Sequence, residues 1–145
     1  MQRGFTLLEL IVVIGLIGVM GGLVAWRAIA WLPEARLDAA ARQLVVDLRL
    51  TRGRAMAEQR HRRMAFDTDE DLYRRQRRNG AIYEDDASPV GLPPGIDLVA
   101  CSAAGAAIAF APRGTASTFG TVTLRNPGGR ERRVIVDMVG RVRVQ

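Results

Sequence analysis

The chain has 145 residues, enough for one domain with an appendage. Its 21 basic residues, every one an arginine, outnumber 15 acidic ones and leave a net charge of +6 with His61 neutral. One cysteine, Cys101, excludes an intramolecular disulfide and any Cys-x-x-Cys site, and one histidine set among arginines argues against a histidine metal centre or a Ser/His/Asp triad.

The first predicted element is an apolar helix. Phe5 to Trp26 is 22 residues with a single charge, Glu9, and the apolar run resumes after Arg27 as far as Leu32. About 20 such residues cross a bilayer as a helix. Three readings fit. The run is a secretory signal cut after Ala28-Ile29-Ala30, a plain single-span anchor, or an anchor trimmed close to its start. A signal h-region is shorter, roughly 7–15 residues, and does not carry a carboxylate. Arg3 precedes the run while Arg27, Arg36, Arg42 and Arg49 follow it. Taken naively, that bias keeps the C-terminal part in the cytoplasm. Whole domains are translocated regardless of charge, so charge alone does not fix the side.

Glu9 decides among the three. A carboxylate in lipid costs about 2.5–3.5 kcal/mol at the helix centre and less near the interface, so it persists where it has a partner or a task. Its context is Gly4-Phe5-Thr6-Leu7-Leu8-Glu9. This resembles the processing site of type IV pilins and type II secretion pseudopilins: a short basic leader ending in Gly, then Phe-Thr-Leu-Leu-Glu, then an unbroken apolar helix. The resemblance implies cleavage after Gly4 by a prepilin peptidase and methylation of the new amino group of Phe5. It implies that Glu9 faces the Phe5 amine of a neighbouring subunit during assembly. Amine and carboxylate, each costly alone in lipid, would neutralise each other across two chains.

The second predicted element continues the helix into water. Leu37, Ala41, Leu44, Leu48 and Ala55 recur at helical spacing, with Val45 beside them and arginines and aspartates between. From Phe5 to His61 the helix would run 57 residues, roughly 85 Å at about 1.5 Å per residue. Pro33 removes a backbone donor and should bend or loosen it. The expected organisation is a leader at 1–4, a membrane and assembly helix at 5–32, an amphipathic half at 33–63 and a β-rich domain at 64–145.

Strand signals fill the remainder. Met64 to Phe66 is a short apolar run, and Asp67 to Asp71 a turn. Leu72 to Arg78 pairs with Ala81 to Tyr83 across Asn79-Gly80, a strong hairpin signal. Ser88 to Gly95 is a loop rich in Pro and Gly. Ile96 to Ala100, Ala107 to Ala111, Gly120 to Leu124, Arg133 to Met138 and Arg141 to Val144 are strands between Gly/Pro/Ser turns. A helix followed by antiparallel strands is an α+β architecture.

Five tail segments carry a second resemblance. Leu92-Pro-Pro-Gly-Ile96, Phe110-Ala-Pro-Arg-Gly114, Gly120-Thr-Val-Thr-Leu124, Arg133-Val-Ile-Val136 and Gly140-Arg-Val-Arg143 follow one another in order. They are similar to the H-type minor pseudopilins of type II secretion (GspH) and to the FimT/FimU minor pilins. The resemblance implies a pilin-like fold and a non-catalytic subunit of a pseudopilus or pilus. Its partners would be other pilins, the prepilin peptidase and the inner membrane, which it would cross once with its domain in the periplasm before joining a filament. Gly140-Arg141-Val142-Arg143 also resembles the C-terminal motif of FimT proteins that bind DNA in natural transformation. That alternative would use Arg141 and Arg143, joined by Arg130, Arg132 and Arg133 after the Pro127-Gly128-Gly129 turn.

Other constellations carry less. Residues 49–63 hold six arginines and one acid, and residues 113–145 hold seven arginines and two acids. Arginine suits phosphate through its bidentate fork. A GC-rich genome gives the same arginine bias without any such use. Asp67, Asp69 and Asp71 alternate as calcium loops do, but Leu72 and Arg78 stand where glycine and glutamate are needed. A solvated turn is the reading. Ser102 and Ser117 have no base nearby, His61 is a helix-end surface residue and Cys101 a small core residue. No catalytic residue, metal site or cofactor is expected.

Overall fold

The computed structural model describes residues 7–145, and for residues 23–30 the backbone alone. Gly4 and Phe5, the expected cleavage and methylation positions, lie outside the described residues. The chain forms two compact units, Met1–Pro33 and Glu34–Gln145. One helix, α1 (Leu7–Ala57), contributes to both and holds Pro33 inside it.

In the first unit the side chains of residues 7–22 are exposed and, Glu9 apart, uncharged. Among the described residues no helix is long and apolar enough to cross a membrane. Residues 5 and 6 and the side chains of 23–30, which belong to the expected span, fall outside that description.

In the second unit the helix presents the expected stripe. Leu37, Ala41, Leu44 and Leu48 are fully buried with Ala55, and Ala40 and Val45 flank them. The helix ends at Ala57, short of the expected limit at 63. Gln59 takes a positive φ of 52°. Its N–H donates to Met56 O at 3.4 Å and the Arg60 N–H donates to Ala55 O at 3.2 Å. That pair of bonds closes the last turn with a residue in the left-handed conformation, a task glycine usually performs. The Gln59 amide side chain adds a bond to Met56 O at 2.8 Å.

Ten strands follow: β1 (Arg62–Asp67), β2 (Leu72–Asn79), β3 (Ile82–Asp85), β4 (Val90–Gly91), β5 (Asp97–Cys101), β6 (Ala107–Phe110), β7 (Ala116–Thr118), β8 (Gly120–Arg125), β9 (Glu131–Val136) and β10 (Val142–Val144). They make two antiparallel sheets. One has the order β3-β2-β1-β6-β7 with β4 on β2, and the other the order β10-β9-β8-β5. The expected hairpin forms one residue later than predicted: Asn79 ends β2 opposite Ile82, and the two-residue loop is Gly80-Ala81 with Gly80 at φ 61°.

Alternation decides which side chains meet the helix. Met64 and Phe66 of β1, Val122 and Leu124 of β8, and Val134 and Val136 of β9 are buried at every second position. With Tyr73, Leu98, Ile108 and Phe110 they close the core on the helix stripe. Truncating Leu44 to Ala there should cost about 2–5 kcal/mol. Two short strands, β4 and β7, were not expected, and β9 begins and ends two residues before the expected 133–138. Met138 therefore sits in a turn and is 65% exposed instead of continuing the strand.

Candidate functional site

The five tail arginines singled out in the sequence do not form one patch. Register explains why. Val134 and Val136 of β9 point into the core, so Arg132, on the same side, reaches back to the helix, where its Nε donates to Asp38 Oδ1 at 2.7 Å. Arg130 pairs with Glu34, one turn earlier on the same helix face. These two arginines fasten β9 to the start of the domain's helix. Arg133 faces outward and lies 3.4 Å from Glu131 Oε2, whose other oxygen accepts from Arg125 at 2.7 Å. Arg125 first, then Arg133, hold the Glu131 carboxyl below its ordinary range.

Arg141 and Arg143 are placed differently. β10 pairs with β9 so that Arg143 lies opposite Ile135, and the backbone of Gln145 exchanges two bonds of 2.8 Å with Arg133. Val142 between them is buried, so both arginine side chains are exposed on the outer sheet face. Neither makes a side-chain ion pair or hydrogen bond among the described residues. The Asp137 carboxylate accepts the Arg141 backbone N–H at 2.8 Å, which braces the turn into β10.

Helix residues that the sequence did not connect with this motif complete the site. Arg49 and Arg52 line a cleft of ≈ 420 Å³ with Gly140, Arg141, Val142 and Arg143. Arg52 Nε donates to Gly114 O at 2.7 Å, and Arg49 Nη2 lies 3.5 Å from Val142 O. On the other side, a cleft of ≈ 170 Å³ is lined by Ile135, Asp137, Arg141, Arg143 and Gln145. The arrangement is a row of two arginines with a groove on each flank. The available signal was the spacing of 49 and 52, which puts both on one helix face. The pairing of that face with the chain's last strand is a long-range contact that no local pattern displays.

Glycine geometry explains the close packing here. Gly140 has φ 80° and Gly114 φ 83°, a region that side chains rarely adopt. A Cβ on Gly140 would collide with Gly114 O and lie 3.1 Å from Arg52 Nε, and one on Gly114 would lie 2.5 Å from Met56 Sδ. Both glycines belong to the tail segments quoted above.

The remaining candidates lie elsewhere in the chain. Glu9 is an exposed helix position in the first unit. Asp67 Oδ1 accepts from the N–H groups of Asp69 and Glu70 at 3.1 and 3.2 Å, and Asp71 Oδ1 accepts from Leu98 N at 2.7 Å, so two of the three aspartates hold turns. Ser102 Oγ accepts from Thr121 N at 2.8 Å. The Ser117 hydroxyl donates to Ala109 O at 3.3 Å. Burial pushes the half-buried Cys101 thiol up, away from the reactive thiolate. His61 lines a surface cleft with Arg60 and Arg78.

Comparisons with known proteins bear on both units. The family model described as type II transport protein GspH matches residues 40–140. The model for the prokaryotic N-terminal methylation motif matches residues 1–25. Among solved structures, the minor pseudopilin EpsH of the Vibrio cholerae type 2 secretion system aligns over 76% of this chain and 96% of its own, at 14% identity and a TM-score of 0.63. The type IV minor pilin FimU of Pseudomonas aeruginosa aligns over 75% of this chain and 92% of its own, at 16% identity and a TM-score of 0.61. At these identities the likeness speaks for the fold. No curated protein sequence matches the chain.

Proposed function

The chain belongs to the GspH family of type II transport proteins, and from that premise we propose that it is a non-catalytic minor subunit of a type II secretion pseudopilus or a type IV pilus. The observation that carries the proposal is the joining, in one chain, of an N-terminal methylation motif over residues 1–25 to a GspH domain over residues 40–140. The fold it shares with EpsH and FimU supports it. In this reading the prepilin peptidase cuts after Gly4 and the amino group of Phe5 is methylated. Residues 5–32 hold the subunit in the inner membrane as a single span, with the domain on the periplasmic side. Glu9 then pairs with the Phe5 amine of a neighbouring subunit as the helix enters a filament. The chemistry asked of the chain is docking, which needs no cofactor.

A second reading, DNA capture, is favoured by one observation: Arg141 and Arg143 lie exposed on one face with no side-chain partner among the described residues. Of the five arginines first considered, Arg130 and Arg132 are engaged by helix carboxylates and Arg133 by Glu131. Arg141→Ala with Arg143→Ala would impair DNA uptake and leave secretion intact under this reading alone.

The experiment for the leading reading is the mass and N-terminal sequence of the protein extracted from membranes. A chain that begins at methylated Phe5 is the expected result. A chain that begins at Trp31, or an uncut Met1, would overturn it.

A further inference from the structure

We propose that Arg141 and Arg143, which flank Val142 at the start of β10, together with Arg49 and Arg52 of the helix, form a docking site for an acidic, apolar-tipped loop of a neighbouring filament subunit. The proposal rests on the subunit reading above and specifies the partner chemistry of one surface.

Charge is the first argument. Four arginines border one cleft of ≈ 420 Å³. Two of them are braced through backbone carbonyls, Arg52 on Gly114 O and Arg49 near Val142 O, so no carboxylate of this domain neutralises either one there. The other two, Arg141 just before β10 and Arg143 within it, are exposed to solvent. Guanidinium groups held in fixed directions bind carboxylates bidentately with little loss of side-chain freedom.

The surroundings distinguish a protein from a nucleic acid. Met138 and Val139, 65% and 55% exposed, form the turn that leads directly into Gly140-Arg141. Phe119, 50% exposed, precedes Gly120, which pairs with Val136 at the same end of β9. Met56, 40% exposed, lies one helical turn beyond Arg52 and against Gly114. Ala116 N donates to Met138 O at 3.1 Å, so β7 ties this turn into the same corner. Arginine, methionine and an aromatic ring around a braced cleft is the composition of a protein–protein interface core. Phosphate contacts use arginine, lysine, hydroxyls and backbone N–H groups, and give four exposed apolar side chains nothing to cover them. The Asp137 carboxylate lies in the row beside Arg141 and lines the second cleft, of ≈ 170 Å³. A continuous line of phosphates would be repelled there, whereas discrete carboxylates can straddle it.

The turn is also ready to bind. Gly140 and Gly114 in the left-handed region, the Arg52 bond and the Asp137–Arg141 bond fix it before any partner arrives. Ordering that is already complete in the free protein is not charged against binding.

The test is photo-crosslinking in cells with the full-length chain, carrying p-benzoylphenylalanine in place of Val139. The N-terminus is sequenced first. A chain not cut after Gly4 overturns the subunit reading and this proposal with it. With processing intact, the expected cross-link is to another pilin-like subunit, through a peptide with at least two Asp or Glu beside an apolar residue. Arg141→Glu with Arg143→Glu should reduce its yield at least about tenfold. Arg141→Lys with Arg143→Lys should retain most of it, which separates charge from misfolding. Arginines placed in the partner's loop should restore the yield of the Glu variant. A cross-link to DNA, a cross-link to a neutral or basic peptide, no cross-link, or a yield indifferent to charge reversal would each overturn the proposal while the subunit reading stands.

Discussion

Arg52, from the last turns of the helix, donates its Nε–H to the carbonyl oxygen of Gly114 at 2.7 Å, and Gly140 closes over the same bond. Three distant stretches of chain thus share one contact. In the sequence the segments Phe110–Gly114 and Gly140–Arg143 were two separate motifs, each beginning or ending in an expected strand. In the fold they are two sides of one clamp on the helix.

The clamp makes a direct prediction. Gly140→Ala must place a methyl group against Gly114 O and Arg52 Nε, from a backbone with φ 80°. Left-handed strain and steric displacement together should cost about 2–4 kcal/mol. Gly53, one residue along from Arg52, is a helical glycine with open space around it. Gly53→Ala should therefore stabilise the domain by about 0.5–1 kcal/mol. Thermal unfolding of the two detergent-solubilised variants should move in opposite directions, and a Gly140→Ala melting temperature equal to the parent's would remove the clamp from the account.

A second prediction concerns a polar group in the core. Asp47 is buried on the helix and accepts the hydroxyl of Tyr73, with Gln43 Nε2 at 3.3 Å and Arg75 Nη1 at 3.6 Å. Arg75 Nε is buried with no hydrogen-bond partner among the described residues. Asp47→Ala would strand the arginine and the phenol together, and should cost about 3–5 kcal/mol. Tyr73→Phe removes one bond and should cost about 1–3 kcal/mol. Burial, then the bond to Asp47, push the Tyr73 phenol well above its ordinary 10.0. A raised folded-state value gives stability that is complete below pH 10.0 and falls as pH climbs toward the shifted value. Denaturant titrations above pH 10.0 should show that decline in the parent and a shallower one in Tyr73→Phe.

These two groups show what was legible in the sequence. The helix stripe of Leu37, Ala41, Leu44 and Leu48 was legible because burial repeats with the helix period. The hairpin was legible because a two-residue loop needs a residue tolerant of positive φ, and Gly80 supplies it at the first loop position, but the loop is Gly80-Ala81, one residue beyond the Asn-Gly pair. The exposed turn at Met138 was not legible, since Val134, Val136 and Met138 fall at every second position, and the strand ends at Val136 where its pairing with both β8 and β10 ends. The tail arginines were legible as charge but not as partners. Whether an arginine on β9 points to the helix or to water depends on register, and Glu34 and Asp38, which claim Arg130 and Arg132, lie over 90 residues away. Asp47 looked like one more charge on a solvated face, because the tyrosine that buries it comes from another element.

A third prediction follows from an acid-sensitive hub. The Arg62 side chain is 5% exposed and lies between Glu58 at 2.6 Å and Asp86 at 2.5 Å, with Arg54 3.3 Å from the same Asp86 oxygen. Burial opposes the Arg62 cation, but its bonds to Asp86 and Glu58 outweigh that and raise its pKa. The Arg62 bond, foremost, lowers the Asp86 pKa from 3.8 despite an opposing burial effect. A depressed carboxylate stabilises the fold above its ordinary value, so the contribution is whole above pH 3.8 and disappears as pH falls through the shifted value. Asp86→Asn should lower stability at neutral pH and flatten its loss in acid. Unfolding curves at neutral pH and below pH 3.8 check both, and parallel acid slopes would contradict the assignment.

The last prediction returns to Glu9. If its carboxylate neutralises the amine of a neighbour's Phe5 in lipid, shape is not enough. Glu9→Gln keeps the length and hydrogen-bonding capacity of the side chain and removes its charge. The amine would then enter the bilayer without a counter-charge, at a cost of about 2.5–3.5 kcal/mol, so Gln should fail nearly as badly as Ala. Filament incorporation, measured as the sheared fraction over the membrane fraction, should fall roughly a hundredfold for both variants. In the proposed reading cleavage after Gly4 would precede docking and should persist in both variants, so the mature mass separates failed assembly from failed processing. A Gln variant that assembles as well as the parent would mean that the carboxylate only reaches back to the headgroups, and that helix packing alone sets the register.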